Sequence, residues 1–336
     1  SAARTNISKT VFSLPDSFRI DKFIRSVITF TVAIELLGAI VLYFVFRRAA
    51  MPAPLWSAIF HSISSFCTAG FSLYNNSFES FANDFWLNST VSVLSYLGAI
   101  GFIVCVDCWR VLVGKIQQIT LTSKIILWST FWLTIAGTLL LFAAEPSIRS
   151  KPADERLLAA FFQAMTSMTT VGFNTVSISS LSKASLLVLI VLMVIGASPS
   201  GTGGGLKSTT FSAVIGVMRS AIRGEKEVRF WNRVVPLERV WTAVAGLGFY
   251  LLMLLLGIYL LELTEKGAFD DYIFEAASAL GTVGLSTGIT ATLSNIGKLV
   301  LIFLMFCGRL GPLTFGIALF YHPLNTAQAA DSDLAT

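Results

Sequence analysis

Three short stretches of this 336-residue chain share a pattern of residue types that suits the coordination of a dehydrated cation. Each has a Phe, then a Thr eight residues later, then Ala or Val, then Gly. Backbone carbonyls of such a loop can replace the hydration shell of a monovalent cation, and the Gly gives the chain freedom to aim them. The candidate ion ligands are Cys67, Thr68, Ala69 and Gly70; Thr169, Thr170, Val171 and Gly172; Gly281, Thr282, Val283 and Gly284.

The composition indicates that the elements positioning these Thr-x-Gly loops cross a membrane. The chain is 54% hydrophobic and 13% charged, with a mean hydropathy of +0.75. A soluble domain averages roughly 45–50% apolar and about 25% charged residues. Several runs with no more than one charge each are long enough to cross a hydrocarbon core of ~30 Å. The predicted spans are 26–46, 87–106, 125–144, 240–261 and 299–320, and a sixth run that begins near Ala184 is broken after Gly196.

The order of these segments predicts a repeated pore module. Each Thr-x-Gly loop lies between two apolar runs and follows an apolar segment of about twelve residues, which is too short to span. Irregular backbone at membrane depth persists only where protein buries it or where it lines water. We therefore predict an all-α membrane protein of M1-P-M2 modules, in which M1 and M2 span and P is a short pore helix. An alternative, that Thr-x-Gly is only a small-residue packing patch, is disfavoured because the pattern recurs in register.

The distribution of basic residues predicts the orientation and the boundaries. If the loops open on one side, 14 of the 24 Lys and Arg lie on the other side, eight on the loop side and two within the membrane. By the positive-inside rule the loops face outward. The basic stretch 219–239 either binds a partner or anionic lipid or only sets this orientation. The predicted segments are a cytoplasmic N-terminal segment 1–21, modules 22–115, 116–235 and 236–322, and a polar tail 323–336.

A Gly-rich loop interrupts the M2 helix of the middle module. Five glycines and a proline between Gly196 and Lys207 cannot continue a helix. A Walker A loop is disfavoured because Leu206 separates Gly205 from Lys207 and a membrane run, rather than a strand, precedes it. An irregular loop below the Thr-x-Gly loops would lie across the ion path as a gate. The predicted gate residues are Ala197, Ser198, Pro199, Ser200, Gly201, Thr202, Gly203, Gly204, Gly205, Leu206 and Lys207.

Two charges lie inside predicted spans. Arg309 interrupts the last span, and an intramembrane Arg normally faces the protein interior and pairs with acids or carbonyls. We predict that Arg309 contacts carbonyls of the Gly-rich loop, in preference to snorkelling to the interface. Glu35 has no repeated counterpart, so a structural hydrogen bond to a neighbouring helix is expected. The four cysteines are expected to be reduced packing residues, and no metal or catalytic constellation appears in the sequence.

Several of these segments resemble the Trk/Ktr/HKT superfamily of potassium transport proteins, from about residue 20 to 320. They are the Thr-x-Gly loops, Ser200-Gly-Thr-Gly-Gly-Gly-Leu-Lys207 and Gly308-Arg-Leu-Gly-Pro312, and the chain looks most like the membrane subunit of a bacterial Ktr-type system. The resemblance implies a multi-pass inner-membrane protein with four repeats around one pore, a K+ filter lined by the loop glycines, and a gate at 197–206 contacted by Arg309. It also implies a homodimer, a cytosolic nucleotide-binding RCK partner and often Na+ dependence, with no organic cofactor and no nucleic acid.

The chain departs from the resemblance because three modules are visible where four are implied. The match begins at the family's second repeat, so the first is expected upstream of this chain or on a separate chain. The chain is expected to conduct K+ inward down its electrochemical gradient, and Gly in all three visible filter loops favours K+ over Na+. A Na+-conducting HKT-like transporter stays open as an alternative, since the discriminating residue belongs to the first filter. A membrane enzyme or nucleotide-driven pump is a less favoured second alternative.

Overall fold

The computed structural model describes residues 20–225, 227–231, 233–311 and 314. The predicted N-terminal segment 1–21, apart from its last two residues, and the predicted tail 323–336 lie outside the described part. The described chain is almost entirely helical, which confirms the predicted fold class. Its helices are α1 Ile20–Arg48, α2 Pro54–Phe66, α3 Phe85–Ile100, α4 Phe102–Leu112, α5 Leu121–Ala144, α6 Pro146–Arg149, α7 Ala153–Thr169, α8 Lys183–Val194, α9 Ser208–Arg223, α10 Leu237–Thr264, α11 Phe269–Gly281 and α12 Asn295–Leu310, with a hairpin of strands β1 Arg229–Phe230 and β2 Arg233–Val234.

The helices follow one order three times, as the repeat predicts. The M1 helices are α1, α5 and α10, and each is long and apolar enough to cross a membrane. The P helices α2 and α11 have 13 residues each, which is too short to span. Helix α7 has 17 residues, but its first turn carries Asp154 and Glu155, so its apolar part is also too short. The M2 helices are α3 with α4, α8 with α9, and α12. Each Thr-x-Gly loop begins where its P helix ends.

One predicted span is wrong in the structure. The run 87–106 is not a single helix, because α3 and α4 meet at Gly101 with a bend of 100°. Gly101 has φ 84° and ψ 158°, a conformation that L side chains rarely adopt. A Cβ at Gly101 would also lie 2.7 Å from the Ser200 hydroxyl. Hydropathy records that this run is apolar but carries no information on its direction.

A charged residue at the end of each M1 helix, or directly after it, contacts the N-cap of the M2 helix in the same module. The side chain of each N-cap also accepts a hydrogen bond from the first turn of its own helix, which stabilises a helix start. The pairs are Arg48 with the Asp84 carboxylate at 2.6 Å, Glu145 with the Ser182 backbone N–H at 2.9 Å, and Glu265 with the Ser294 backbone N–H at 3.0 Å. Hydrogen bonds from the Ser294 hydroxyl and then its backbone N–H lower the pKa of Glu265.

Neighbouring modules pack by one rule: the M2 helix of one module lies on the P helix of the next. Thus α3 packs on α7 and α8 packs on α11. The repeated Phe162 of α7 and Phe274 of α11 are fully buried at these contacts. The P helix α2 has no such neighbour among the described helices, and its Leu55 and Trp56 are 61% and 58% exposed. The three modules therefore form an arc with one open side.

Candidate functional site: the Thr-x-Gly loops and the Gly-rich loop

The three Thr-x-Gly loops share one unusual backbone shape. Their threonines lie in the left-handed region, which is uncommon for a residue with a Cβ, and their glycines have positive φ as well. The residue between them does not. The three loops therefore share the same alternation of positive and negative φ. The φ values are 47° at Thr68, 59° at Thr170 and 52° at Thr282, and 66° at Gly70, 84° at Gly172 and 95° at Gly284.

The side chains between Thr and Gly pack into the protein and leave the backbone to line the loops. Val171 and Val283 are 0% and 1% exposed and belong to the two apolar cores of the chain. Ala69, the smallest of the three, is half-buried. Burial of an apolar side chain at this position anchors each loop in the protein core, where side chains are close-packed.

The loops stand side by side in chain order. A Cβ at Gly70 would overlap the carbonyl oxygen of Val171, and a Cβ at Gly172 would overlap that of Val283. Only glycine permits these approaches. At Gly284, by contrast, nothing lies within 4 Å of the position that a Cβ would take. The loops therefore form a partial ring that is open beyond Gly284, on the open side of the arc of modules.

One buried polar side chain in each P helix was missed by the sequence analysis. His61, Gln163 and Glu275 directly follow the repeated Phe of the pattern, and they are 0%, 0% and 4% exposed. A polar residue at one offset in three otherwise small and apolar segments was the signal that could have revealed them. Buried polar groups need hydrogen-bond partners, and each of the three finds one in the segment that follows its Thr-x-Gly loop, while Gln163 Oε1 has no partner among the described residues.

These three side chains tie down the segment that follows each Thr-x-Gly loop. His61 Nε2 accepts a hydrogen bond from the Leu73 backbone N–H at 3.2 Å. Gln163 donates to the Val176 carbonyl at 3.0 Å. The Glu275 carboxylate accepts three hydrogen bonds, from the Ser286 hydroxyl at 2.6 Å, the Thr287 backbone N–H at 3.0 Å and the Thr290 hydroxyl at 2.7 Å. The P helix thus holds both ends of its loop.

The Gly-rich loop lies directly against the threonines of all three Thr-x-Gly loops. The Thr68 hydroxyl donates to the Thr202 hydroxyl at 3.0 Å. The Gly204 backbone N–H donates to the Thr170 hydroxyl at 3.3 Å. A Cβ at Gly204 would overlap the Thr282 hydroxyl, so glycine is needed for this approach. The loop and the partial ring are in contact at every module.

The other edge of the Gly-rich loop is fastened to the break between α3 and α4. The Ser198 hydroxyl donates to the Ala99 carbonyl at 2.8 Å and to the Ile100 carbonyl at 2.5 Å. The Thr202 backbone N–H donates to the Gly98 carbonyl at 3.0 Å. Carbonyls freed where α3 ends are thereby satisfied by the loop. The bend at Gly101 that the sequence did not predict is part of the loop's support.

Two cationic side chains donate to carbonyls of the Gly-rich loop. Arg309 Nη1 donates to the Thr202 carbonyl at 2.6 Å, which is the contact that the sequence predicts for Arg309. Lys207 Nζ donates to the Gly203 carbonyl at 2.8 Å. Leu206 instead packs in the apolar core. Charge-assisted hydrogen bonds are among the stronger ones, so these two contacts restrain the Gly-rich loop at Thr202 and Gly203.

The remaining intramembrane charge and the cysteines have structural surroundings. The Glu35 carboxylate accepts a hydrogen bond from the thiol of Cys67, at the end of P helix α2, with a sulfur–oxygen distance of 3.7 Å. All four cysteines are free. Among the described residues, no group of three His, Cys, Asp or Glu side chains is placed to hold a metal ion.

Comparison with known proteins gives a consistent match. Residues 16–325 match the family model TrkH, described as cation transport protein. The chain is 36% identical over 303 residues to the Ktr system potassium uptake protein B of Vibrio alginolyticus, covering 89% of this chain and 66% of that protein. It is 33% identical over 333 residues to the potassium/sodium uptake protein NtpJ of Enterococcus hirae, covering 96% of this chain and 72% of that protein.

A solved structure has the same fold. The crystal structure of the potassium transporter TrkH from Vibrio parahaemolyticus superposes with a TM-score of 0.74 at 20% sequence identity, covering 94% of this chain and 68% of that chain. The chain thus spans about two thirds of the length of the relatives it matches.

Proposed function

This chain belongs to the TrkH family of cation transport proteins, and from that premise we propose that it conducts K+ into the cell through the Thr-x-Gly loops. The family is one of multi-pass membrane transport proteins, which confirms the expected class and location and sets the enzyme alternative aside. The observation that carries the proposal is the shared backbone of the loops. Three equivalent threonines and three equivalent glycines with positive φ supply rings of carbonyls for a dehydrated cation.

A fourth pore-loop module, in the same chain or another, is proposed to close the ring. The packing rule, M2 on the next P helix, leaves two unmatched surfaces: P helix α2 with exposed Leu55 and Trp56, and M2 helix α12 with exposed Leu299 and Ile302. A module placed between them would cover both and would fill the space beside Gly284. This arrangement removes the contradiction between three modules and a closed pore.

The Gly-rich loop is proposed as the gate. It contacts the threonine of every Thr-x-Gly loop, so an ion that leaves the ring meets it next. Its Ala197 and Leu206 are buried, and hydrogen bonds from Arg309, Lys207 and Ser198 hold the rest of the loop in position. A homodimer and a cytosolic nucleotide-binding RCK subunit are proposed as partners, supported by the resemblance and by a relative named for a Ktr system.

The test is ion flux through the full-length protein in liposomes. We expect K+ to pass in preference to Na+, with a reversal potential that follows the K+ gradient. Na+ is measured in the same vesicles because one relative is named for potassium and sodium uptake. A reversal potential set by Na+ would replace this proposal with the Na+-conducting alternative. If neither K+ nor Na+ passes while the protein is folded and oriented, both the K+ proposal and the Na+ alternative are rejected.

A further inference from the structure

A large groove lies at the membrane side of the middle module, away from the ion path. Its volume is about 1380 Å³, beyond the ~300–1,000 Å³ of usual small-molecule pockets. Helices α5 and α9 form its walls, and the segment from Arg229 to Trp231 in the hairpin lines it at the end where α9 finishes. The groove lies on the side of the protein opposite the Thr-x-Gly loops. The charge distribution assigns that side to the cytoplasm.

The walls of the groove are apolar and aromatic. Trp128 and Trp132 line it one turn apart on α5, and Phe211 and Ile215 face them from α9. Trp231 of the hairpin meets the Trp128 ring edge-on, with centroids 6.2 Å apart. Trp128 and Trp132 are 57% and 48% exposed. Trp is typical of membrane interfaces, where one end of the side chain is apolar and the other wet.

The mouth of the groove is basic. Arg219 and Arg223 lie one turn apart at the end of α9, and Arg229 lies on β1. Two acids are also present: Glu227 pairs with Arg229 at 2.8 Å, and Glu225 lines the same mouth. No carboxylate among the described residues lies within ion-pair distance of Arg219 or Arg223. These two guanidiniums are therefore free to bind an anion.

The length of the groove fits one leaflet of a bilayer. The lining residues of α5 run from Ile125 to Ala136, which at 1.5 Å per residue is about 16 Å. Half of a ~30 Å hydrocarbon core is about 15 Å. A chain lying in the groove from the interface would reach the middle of the membrane.

The hairpin beside the mouth of the groove packs against α9. Gly216 leaves room for the Phe230 ring, since a Cβ there would lie 2.8 Å from it. The Ser220 hydroxyl donates to the Glu227 carbonyl at 3.1 Å. The basic mouth and the apolar wall therefore keep a fixed relation to each other.

We propose that this groove binds an anionic phospholipid of the cytoplasmic leaflet, with its acyl chain between α5 and α9 and its phosphate on Arg219 and Arg223. The charge at the mouth selects an anionic head group, because anionic lipids attract basic residues at this surface. The aromatic wall and the depth of the groove suit an acyl chain, so they favour an amphiphile over a free anion. The site is independent of the proposed ion path.

The test measures lipid binding to the full-length protein by native mass spectrometry in mild detergent. Phosphatidylglycerol is expected to bind more tightly than phosphatidylcholine. The double variant Arg219→Gln, Arg223→Gln should weaken phosphatidylglycerol binding roughly thirtyfold, since each basic residue near an anionic membrane contributes about fivefold. The matched control Arg110→Gln, Lys115→Gln removes the same charge on the same side, outside the groove, and should change binding less than twofold.

A second measurement locates the acyl chain by tryptophan fluorescence, first in the unmodified protein and then in a variant that lacks the two groove tryptophans but keeps both arginines. Phosphatidylglycerol brominated on its acyl chain should quench tryptophan fluorescence, and Trp128→Phe with Trp132→Phe should remove most of that quenching. Equal binding of both lipids, or full quenching in the Phe variant, would overturn the proposal. Competition by glycerol phosphate as strong as by the lipid would indicate a simple anion site instead. Loss of dimer mass in the Arg variant without loss of lipid would assign the groove to a second copy of the chain.

Discussion

Replacement of Arg309 by Ala is expected to raise K+ flux and weaken its control. In the structure Arg309 donates one hydrogen bond, at 2.6 Å, to the Thr202 carbonyl. The hydroxyl of the same residue, Thr202, accepts a hydrogen bond from the Thr68 hydroxyl of the first Thr-x-Gly loop at 3.0 Å. Removal of Arg309 therefore frees the part of the Gly-rich loop that lies nearest the ion path.

The size of the effect follows from the contact and its exposure. A hydrogen bond to a charged group contributes about 1.5–3 kcal/mol when it is buried, whereas exposed charged pairs contribute about 0.2–1 kcal/mol. The Arg309 side chain is exposed but at membrane depth, so about 1–2 kcal/mol is a fair range. A two-state gate would then shift about five- to thirtyfold toward the open state.

The assay is K+ flux into liposomes that contain the unmodified protein or a variant at equal density. Arg156→Ala is the matched control, because Arg156 also donates to a backbone carbonyl, that of Phe142 at 3.1 Å, but far from the Gly-rich loop. Arg309→Lys keeps the charge with a shorter reach and should fall between the two. Deletion of Gly203 to Gly205 should also raise flux.

The reasoning is refuted if Arg309→Ala transports at the unmodified rate and remains fully regulated while its fold is intact. The same holds if Arg156→Ala raises flux equally, since the effect would then come from general destabilisation. A lower flux in Arg309→Ala would mean that the contact stabilises the open state.

Three further outcomes are expected. Gly172→Ser should lower the K+/Na+ permeability ratio about tenfold, because φ there is 84° and a Cβ would overlap a neighbouring carbonyl; Gly248→Ser, with open space around it, should not. Glu275→Gln should reduce both the K+/Na+ permeability ratio and the melting temperature, since three donors face its carboxylate. Gln163→Glu should lower both quantities further, because it places a carboxylate against the Val176 carbonyl. Glu265 has a lowered pKa, so its contribution to stability is fully present above its ordinary pKa of 4.5 and is lost as the pH falls through its lower folded-state pKa. Melting temperatures of Glu265→Gln and the unmodified protein should therefore differ at neutral pH and approach each other as the pH is lowered through that folded-state pKa.

The sequence by itself determined the fold class, the family and the positions of the unusual loops. Hydropathy predicted the three M1 helices because a membrane span requires a continuous apolar run. The recurring Phe, Thr and Gly placed three loops in register, and the structure gives Thr68, Thr170 and Thr282 the same left-handed backbone. The contact of Arg309 with the Gly-rich loop was also predictable, since an intramembrane Arg needs acceptors and a broken helix offers carbonyls. The roles of these residues in selectivity and gating stay predictions.

Only the tertiary structure decided how these pieces support one another. The bend at Gly101 beside Ser200 and the contact of Glu265 with Ser294 depend on groups far apart in the chain. The anchors His61, Gln163 and Glu275 depend on how each P helix packs against a segment 12 or 13 residues further on. Hydropathy and local propensity report how apolar or flexible a segment is, but not which distant carbonyl or N–H lies beside it. A buried polar side chain acquires its purpose from that neighbour, and neighbours are set by packing.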